Sequence, residues 1–364
     1  MAGCCSAAEG LGRVNERACW LIENYGYRRC RRPRREFPYA VSLHNHSTYS
    51  VEDLASLNQV VKLWFMTPLE GTLQRAFGLR HVSGLNYADV RYNPPFSPEE
   101  VLLMETASVA PYGFDGVHLA ITDHDEYAGS LELCRKRPDL SGRVVVGEEL
   151  TVPFDGHVFH LGIGGLEASA AARTHAQLQR TARGGRLDEL FETLRASGCL
   201  VVFNHPLIPW GPGGESHIPA RQILSRYGWA IHAVEYNGMR RREENDRVLE
   251  LAREWRKPVV GGGDSHLLRA SATLCVSRAA TFRGFADEVR EGRSVVLVKD
   301  EYFAPLGWKL FLRVLYFMAN YRRIASFRGQ PVSEMLARRW VLLDPIGLAS
   351  RAFLAAMAGL RLER

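Results

Sequence analysis

The chain has 364 residues, a hydrophobic share of 46% and a charged share of 24%, the balance of a folded globular protein rather than a disordered or collagen-like one. No uncharged run approaches the length of a membrane-spanning helix, and seven cysteines without Cys-x-x-Cys spacing exclude a disulfide scaffold or a zinc ribbon. The net charge of +6 gathers at the two ends, from Arg28 to Arg35 and from Arg313 to Arg339, which admits nucleic acid or an anionic membrane surface as partner beside plain solvation. A reducing cytoplasm is the expected compartment.

Residues 1–37 read as an Arg-rich leader that packs poorly. Val41 to Asn45 alternates apolar and polar residues, which predicts a strand with His44 and His46 on one face. Beyond Ser50, apolar residues from Leu57 to Leu79 recur at helical spacing, broken by Pro68 and Gly71, so 51–96 reads as an inserted helical excursion. Ser97-Pro98-Glu99-Glu100 is a helix start with an N-cap, a proline at the first position and a capping box. Strands are then expected at 116–121, 143–146, 199–203, 233–238, 258–260 and 294–298. Helices are expected near 130–137, 186–197, 240–255 and 285–290, with an extended segment at 152–163. The core domain spans 38–303, and residues 304–364 read as a helical C-terminal extension.

Strands alternating with helices argue for a parallel sheet or barrel, in which chemistry gathers where strands give way to loops. His124, Glu149, His205, Asp264 and His266 all fall at such exits, and His157 and His160 lie on an extended segment. Imidazoles and carboxylates together suit manganese, iron or zinc, and a lone Glu among histidines is placed to bridge two ions. Metals so held clamp a phosphate and activate a water.

Leu43-His44-Asn45-His46, Ile121-Thr122-Asp123-His124-Asp125, Gly147-Glu148-Glu149, Asn204-His205-Pro206 and Gly263-Asp264-Ser265-His266 resemble, in order, the motifs of the polymerase-and-histidinol-phosphatase (PHP) family. The resemblance covers about residues 38–300 and implies a distorted (β/α)7 barrel that hydrolyses phosphoesters with two to three divalent ions. It implies that His44, His46, Glu149 and Asp264 hold the first ion. Glu149 bridges to a second, completed by His205 and by either His157 or His160. His124 and His266 serve the third. Glu149 is preferred to Glu148 because the family ligand stands second after the glycine. The family's opening motif continues to an Asp that ligates the third ion, but Val51 stands there. Asp53 is the expected substitute, with Glu52 next; otherwise Asp89 of the insertion supplies the ligand or the third site is weak.

The resemblance points to a phosphoesterase acting on a small phosphorylated substrate. The alternatives are a nuclease that trims single-stranded ends, to which Trp210, Tyr227 and Trp229 could offer stacking surfaces, and a non-catalytic metal-binding module. The C-terminal extension carries Trp308, Phe311, Leu312, Leu315 and Met318 on one helical face, which fits packing on the barrel or lying on a membrane surface.

Overall fold

The computed structural model describes residues 19–30, 33–53, 91–207, 217–266, 270–320, 327–328 and 348–357. The excursion expected at 57–79, Asp89 and Trp210 lie outside them.

Within the segment read as a leader, residues 19–30 are part of the main sheet. Strands β1 (Cys19–Glu23) and β2 (Gly26–Cys30) form an antiparallel hairpin. Asn24 and Tyr25 turn it with positive φ, 49° and 64°. β1 pairs with β13 (Val295–Val298), Leu21 opposite Leu297. Trp20 packs on Phe303, and the Tyr27 hydroxyl bonds with the Tyr236 hydroxyl and donates to Asp246. The signal was hidden because β2 turns Arg28 and Arg29 to solvent, so the segment reads as charge rather than as a strand.

Strands β3 (Tyr39–Ser42), β6 (Gly116–Ala120) and β7 (Val144–Phe154) run parallel. β7 turns back at Asp155-Gly156 into β8 (His157–Leu166), and β8 pairs antiparallel with β9 (Leu200–Asn204). β10 (Ala233–Asn237) and β11 (Val259–Gly262) continue in parallel, while β12 (Thr273–Ser277) joins β3 to β13. The result is one mixed eleven-stranded sheet, with β11 at one edge and β2 at the other.

The distorted (β/α)7 barrel that the resemblance implied does not close among the described residues: the backbone ladder is open, and four of its pairings around β7 to β9 and β12 are antiparallel. The sheet nevertheless curls. Leu43, Ala120, Gly162, Val202, Glu235 and Gly262 line one small void from different strands. β11 meets β12 through side chains: Thr273 Oγ1 donates to the Gly262 carbonyl at 2.7 Å, and the Gly261 amide donates to Cys275 Sγ at 3.1 Å. The run Gly261-Gly262-Gly263 follows from this closeness. A Cβ at Gly261 would sit 2.7 Å from the Leu274 carbonyl oxygen, at Gly262 1.7 Å from Glu235 Oε1, and at Gly263 2.0 Å from Ser271 Oγ.

Outside the sheet pack α1 (Pro98–Val109), α2 (Ala128–Lys136), α3 (Ala171–Arg183), α4 (Leu187–Ser197), α5 (His217–Tyr227), α6 (Arg242–Glu254) and α7 (Phe282–Arg290). α1 begins as its sequence dictates, with Glu100 N donating to Ser97 Oγ and Ser97 N to Glu100 Oε2. Leu178, Leu190, Leu194, Leu224 and Leu249 from these helices join Leu161, Phe203 and Val234 in one buried core. Truncating such a residue to Ala costs about 2–5 kcal/mol, enough to threaten the fold that aligns the strand ends.

A second sheet is small. β4 (Glu52–Asp53) and β14 (Phe327–Arg328) flank β5 (Arg91–Tyr92), both antiparallel to it. The C-terminal extension is therefore not wholly helical. It opens with α8 (Leu306–Asn320) but returns a strand to the end of the insertion.

Candidate metal centre

Where strands end, the side chains converge. β3 runs out into His44, Asn45 and His46, β6 into Asp123 and His124, β9 into His205, and β11 into Asp264 and His266. Glu149 lies within β7 and His160 within β8. His205 and Asp264 take positive φ, 29° and 47°, so the chain turns sharply at both exits, a conformation found more often for Asp and His than for most residues.

Glu149 is fully buried and stands at the centre. Its Oε2 lies 3.1 Å from His44 Nε2, 3.4 Å from His46 Nε2 and 3.2 Å from His124 Nδ1. Its Oε1 lies 3.2 Å from His205 Nε2 and 3.4 Å from His160 Nδ1, and accepts from Asn204 Nδ2 at 2.9 Å. Asp264 Oδ1 stands 3.8 Å from His44 Nε2 and 2.5 Å from His266 Nε2. A second carboxylate, Glu52, gathers another set: its Oε2 is 2.8 Å from His266 Nδ1 and 3.4 Å from His124 Nε2, and its Oε1 is 3.4 Å from His46 Nδ1.

Among the described residues, three groups have ligand atoms close enough to share an ion: His44 with His46 and Glu149, His124 with Glu149 and His160, and His46 with Glu52, His124 and His266. The donor set itself tests the fit. His44 Nε2, His46 Nε2, Glu149 Oε2 and Asp264 Oδ1 are buried and crowd one another without hydrogen-bonding geometry. Lone pairs left facing a common space are costly unless a cation takes them. These residues fit divalent metal.

The charges agree. Burial alone would raise the Glu149 carboxyl, but His44, His124 and His160 outweigh it and hold it well below its ordinary value. Burial acts likewise on Glu52 and is outweighed by His266, His124 and His46, so this group too is held well below its ordinary value. Burial, aided by the neighbouring His266, pushes His46 well down and keeps its lone pair free for a metal. His124 would be lowered by burial, yet Glu52 and Glu149 lift it to about 9.

No family model matches the chain, and no curated protein does. Solved structures do. A protein of Bifidobacterium adolescentis inferred to be a metal-dependent phosphoesterase is 15% identical, with a TM-score of 0.34, over 58% of this chain and 90% of that one. An amidohydrolase of Chromobacterium violaceum, with bound sulfate and no metal, is 15% identical, with a TM-score of 0.35, over 48% and 83%. A two-domain protein of Bacteroides vulgatus with an inferred PHP-like phosphoesterase domain is 14% identical, with a TM-score of 0.37, over 57% and 62%.

The structure brings together His44, His46, His124, Glu149, His205, Asp264 and His266, all expected at the site. It separates His160 from His157. His160 faces Glu149, whereas His157 starts β8 at the far end of the hairpin, with its Nδ1 2.9 Å from the Asp155 carbonyl. Glu52, not Asp53, joins His46, His124 and His266. The reason is local: Ser50 Oγ donates to Glu52 Oε1 and accepts from the His124 amide at 3.2 Å, which ties the loop so that Glu52 turns inward. Glu148 lies buried on the opposite face of β7, where its Oε2 is 2.6 Å from His175 Nδ1.

Sequence reasoning missed Glu235. It is buried on β10, 2.6 Å from His44 Nδ1, and its Oε2 accepts from the His205 amide and Asn237 Nδ2, each at 2.9 Å. Asn237 Nδ2 also donates to Asp264 Oδ2 at 2.9 Å. The available signal was the polar residue inside an otherwise apolar strand, Ala233-Val234-Glu235-Tyr236. Asp123 plays a comparable part, accepting from the Ser47 amide at 2.5 Å and the Ser47 hydroxyl at 2.7 Å, and burial raises its pKa to about 7.

Proposed function

We propose that the chain is a metal-dependent phosphoesterase acting on a small phosphorylated metabolite or nucleotide. The observation that carries the reading is the convergence of His44, His46, His124, His160, His205 and His266 on the three carboxylates Glu52, Glu149 and Asp264. The order of the five motifs supports phosphoester chemistry over other metal-assisted hydrolysis.

His44, His46, Glu149 and Asp264 would hold one ion, Glu149 with His160, His124 and the adjacent His205 another, and Glu52 with His266 and the remaining imidazoles a third. When bound, such ions polarise phosphoryl oxygens and lower the pKa of a water. The protein's own contribution is orientation. Glu235 accepts the Nδ1 proton of His44, which fixes the tautomer and leaves the Nε2 lone pair toward Glu149. Asn204 and Asn237 each donate to one carboxylate oxygen, of Glu149 and Asp264 respectively, which fixes how these carboxylates face the histidines. Burial of these groups excludes water that would loosen them. Without cations, three carboxylates would repel a phosphate, so substrate binding and metal binding are one requirement.

The test is a panel of phosphomonoesters, nucleotides and single-stranded DNA, assayed with manganese. Phosphate release from a small ester, abolished by chelator, is expected. Cleavage of single-stranded DNA alone would favour the nuclease reading. A fully metal-loaded chain without hydrolysis of any substrate would leave only a metal-binding module.

A further inference from the structure

We propose that the outer face of the C-terminal helices docks on an anionic phospholipid bilayer. α8 buries Leu312 and Ala319 against the rest of the protein but leaves Trp308 and Phe311 38% and 44% exposed. The helix over 348–357 adds Phe353 at 42% and Leu348 at 63%. These are one patch rather than scattered residues: the rings of Trp308 and Phe311 lie 5.5 Å apart, and those of Phe311 and Phe353 6.0 Å. Arg351 Nη1 donates to the Ala319 carbonyl at 3.0 Å and fastens the second helix to the end of α8. Contiguous exposed aromatic surface is costly in water and marks a surface that something covers.

Charge identifies the occupant. Residues 306–364 hold ten Lys or Arg against three acidic residues, Glu334, Asp344 and Glu363, while the rest of the chain is close to neutral. Trp and Phe on a basic segment are the combination that seats a helix at the boundary of an anionic leaflet, the rings entering below the headgroups and the cations meeting the phosphates. A second copy would bring like charge against like charge. Nucleic acid would match the charge but leave Leu348 and Phe353 without an apolar partner. Among the described residues no helix is long and apolar enough to cross a membrane, so contact is at the surface.

The experiment is co-sedimentation of the full chain with vesicles of phosphatidylcholine alone and of equal parts phosphatidylcholine and phosphatidylglycerol. At least about tenfold more protein should sediment with the anionic vesicles at low salt, and salt should weaken this. The double variant Phe311→Ser, Phe353→Ser should lose most of that binding, with its melting temperature and hydrolysis of a soluble ester unchanged. Arg322→Glu with Arg323→Glu, which reverses two charges of the basic segment and keeps every apolar residue, should weaken it. Equal recovery on both vesicles would overturn the proposal, as would undiminished binding by both variants. So would self-association, or binding of a single-stranded RNA probe, that the Phe variant abolishes while vesicle binding persists.

Discussion

The two carboxylates at the heart of the site are held in different ways. Glu149 belongs to an eleven-residue strand in the middle of the main sheet, and the side chains around it come from β3, β6, β8, β9 and β11 or their exits. Its neighbours are themselves braced: Glu235 on His44, Asn204 on Glu149, Asn237 on Asp264. Glu52 sits on a strand of two residues, in a sheet whose other members come from the end of the insertion and from the C-terminal extension. One half of the cluster is fixed by the fold, the other by a loop and a borrowed strand. Strand-borne ligands are set by many contacts at once, so they tolerate loss of a single brace better than loss of the ligand itself.

The largest effect should come from breaking the rigid half at its centre. Glu149→Ala removes the carboxylate common to two of the ligand groups, and hydrolysis should fall by more than about 10³-fold, read as phosphate release with saturating manganese. Next comes the loop-held half. Glu52→Ala should cost about one ion per chain and leave the Glu149 groups loaded, whereas Asp53→Ala should keep the wild-type metal content. If Asp53→Ala loses the ion instead, the assignment of Glu52 is wrong.

Smaller effects test the braces. Glu235→Gln keeps the size of the side chain but weakens its hold on His44, and metal affinity should drop about 10–100-fold by titration with a chelator of known strength. Gly262→Ala should act in the same direction, because the added methyl enters the space of Glu235 Oε1. Similar metal affinity in Glu235→Gln and wild type would show that His44 needs no brace.

The smallest effect lies in the scaffold below the rigid half. His232 Nδ1 accepts from the Val201 amide at 2.9 Å, and burial, with Arg290 and Lys257 nearby, lowers its pKa to about 4. The unfolded chain takes up this proton near the ordinary histidine value of about 6.5, so the folded state is favoured above that pH and loses the advantage as pH falls toward 4. Thermal melts should show this acid loss in wild type, and a shallower one in His232→Gln.

Much of the rigid half was legible in the chain because strand exits impose local signals: an apolar run, then a ligand residue, as in Val201-Val202-Phe203-Asn204-His205. The capping box at Ser97 was equally local. What escaped depended on tertiary context. α3 is rich in Ala, Thr, Gln and Arg and shows little apolar face in sequence, and β12 is a short strand whose apolar residues carry no period long enough to read. Glu235 sits where a buried strand should have an apolar residue, and only its approach to His44 explains it. The choice of Glu52 over Asp53 turned on one residue of register, which reverses the face of a strand. The hairpin β1–β2 was missed because its partner, β13, is more than 260 residues away.

The central claim is that one buried carboxylate and its histidines form a multi-ion centre, with Glu52 adding a further position. Metal analysis of the purified full chain, expressed in metal-replete medium, tests it most directly, with Glu52→Ala and Glu149→Ala measured in parallel. At least two transition-metal ions per wild-type chain are expected, about one fewer in Glu52→Ala, and the greatest loss in Glu149→Ala. Less than one ion in the wild type, or equal content in all three proteins, would contradict it.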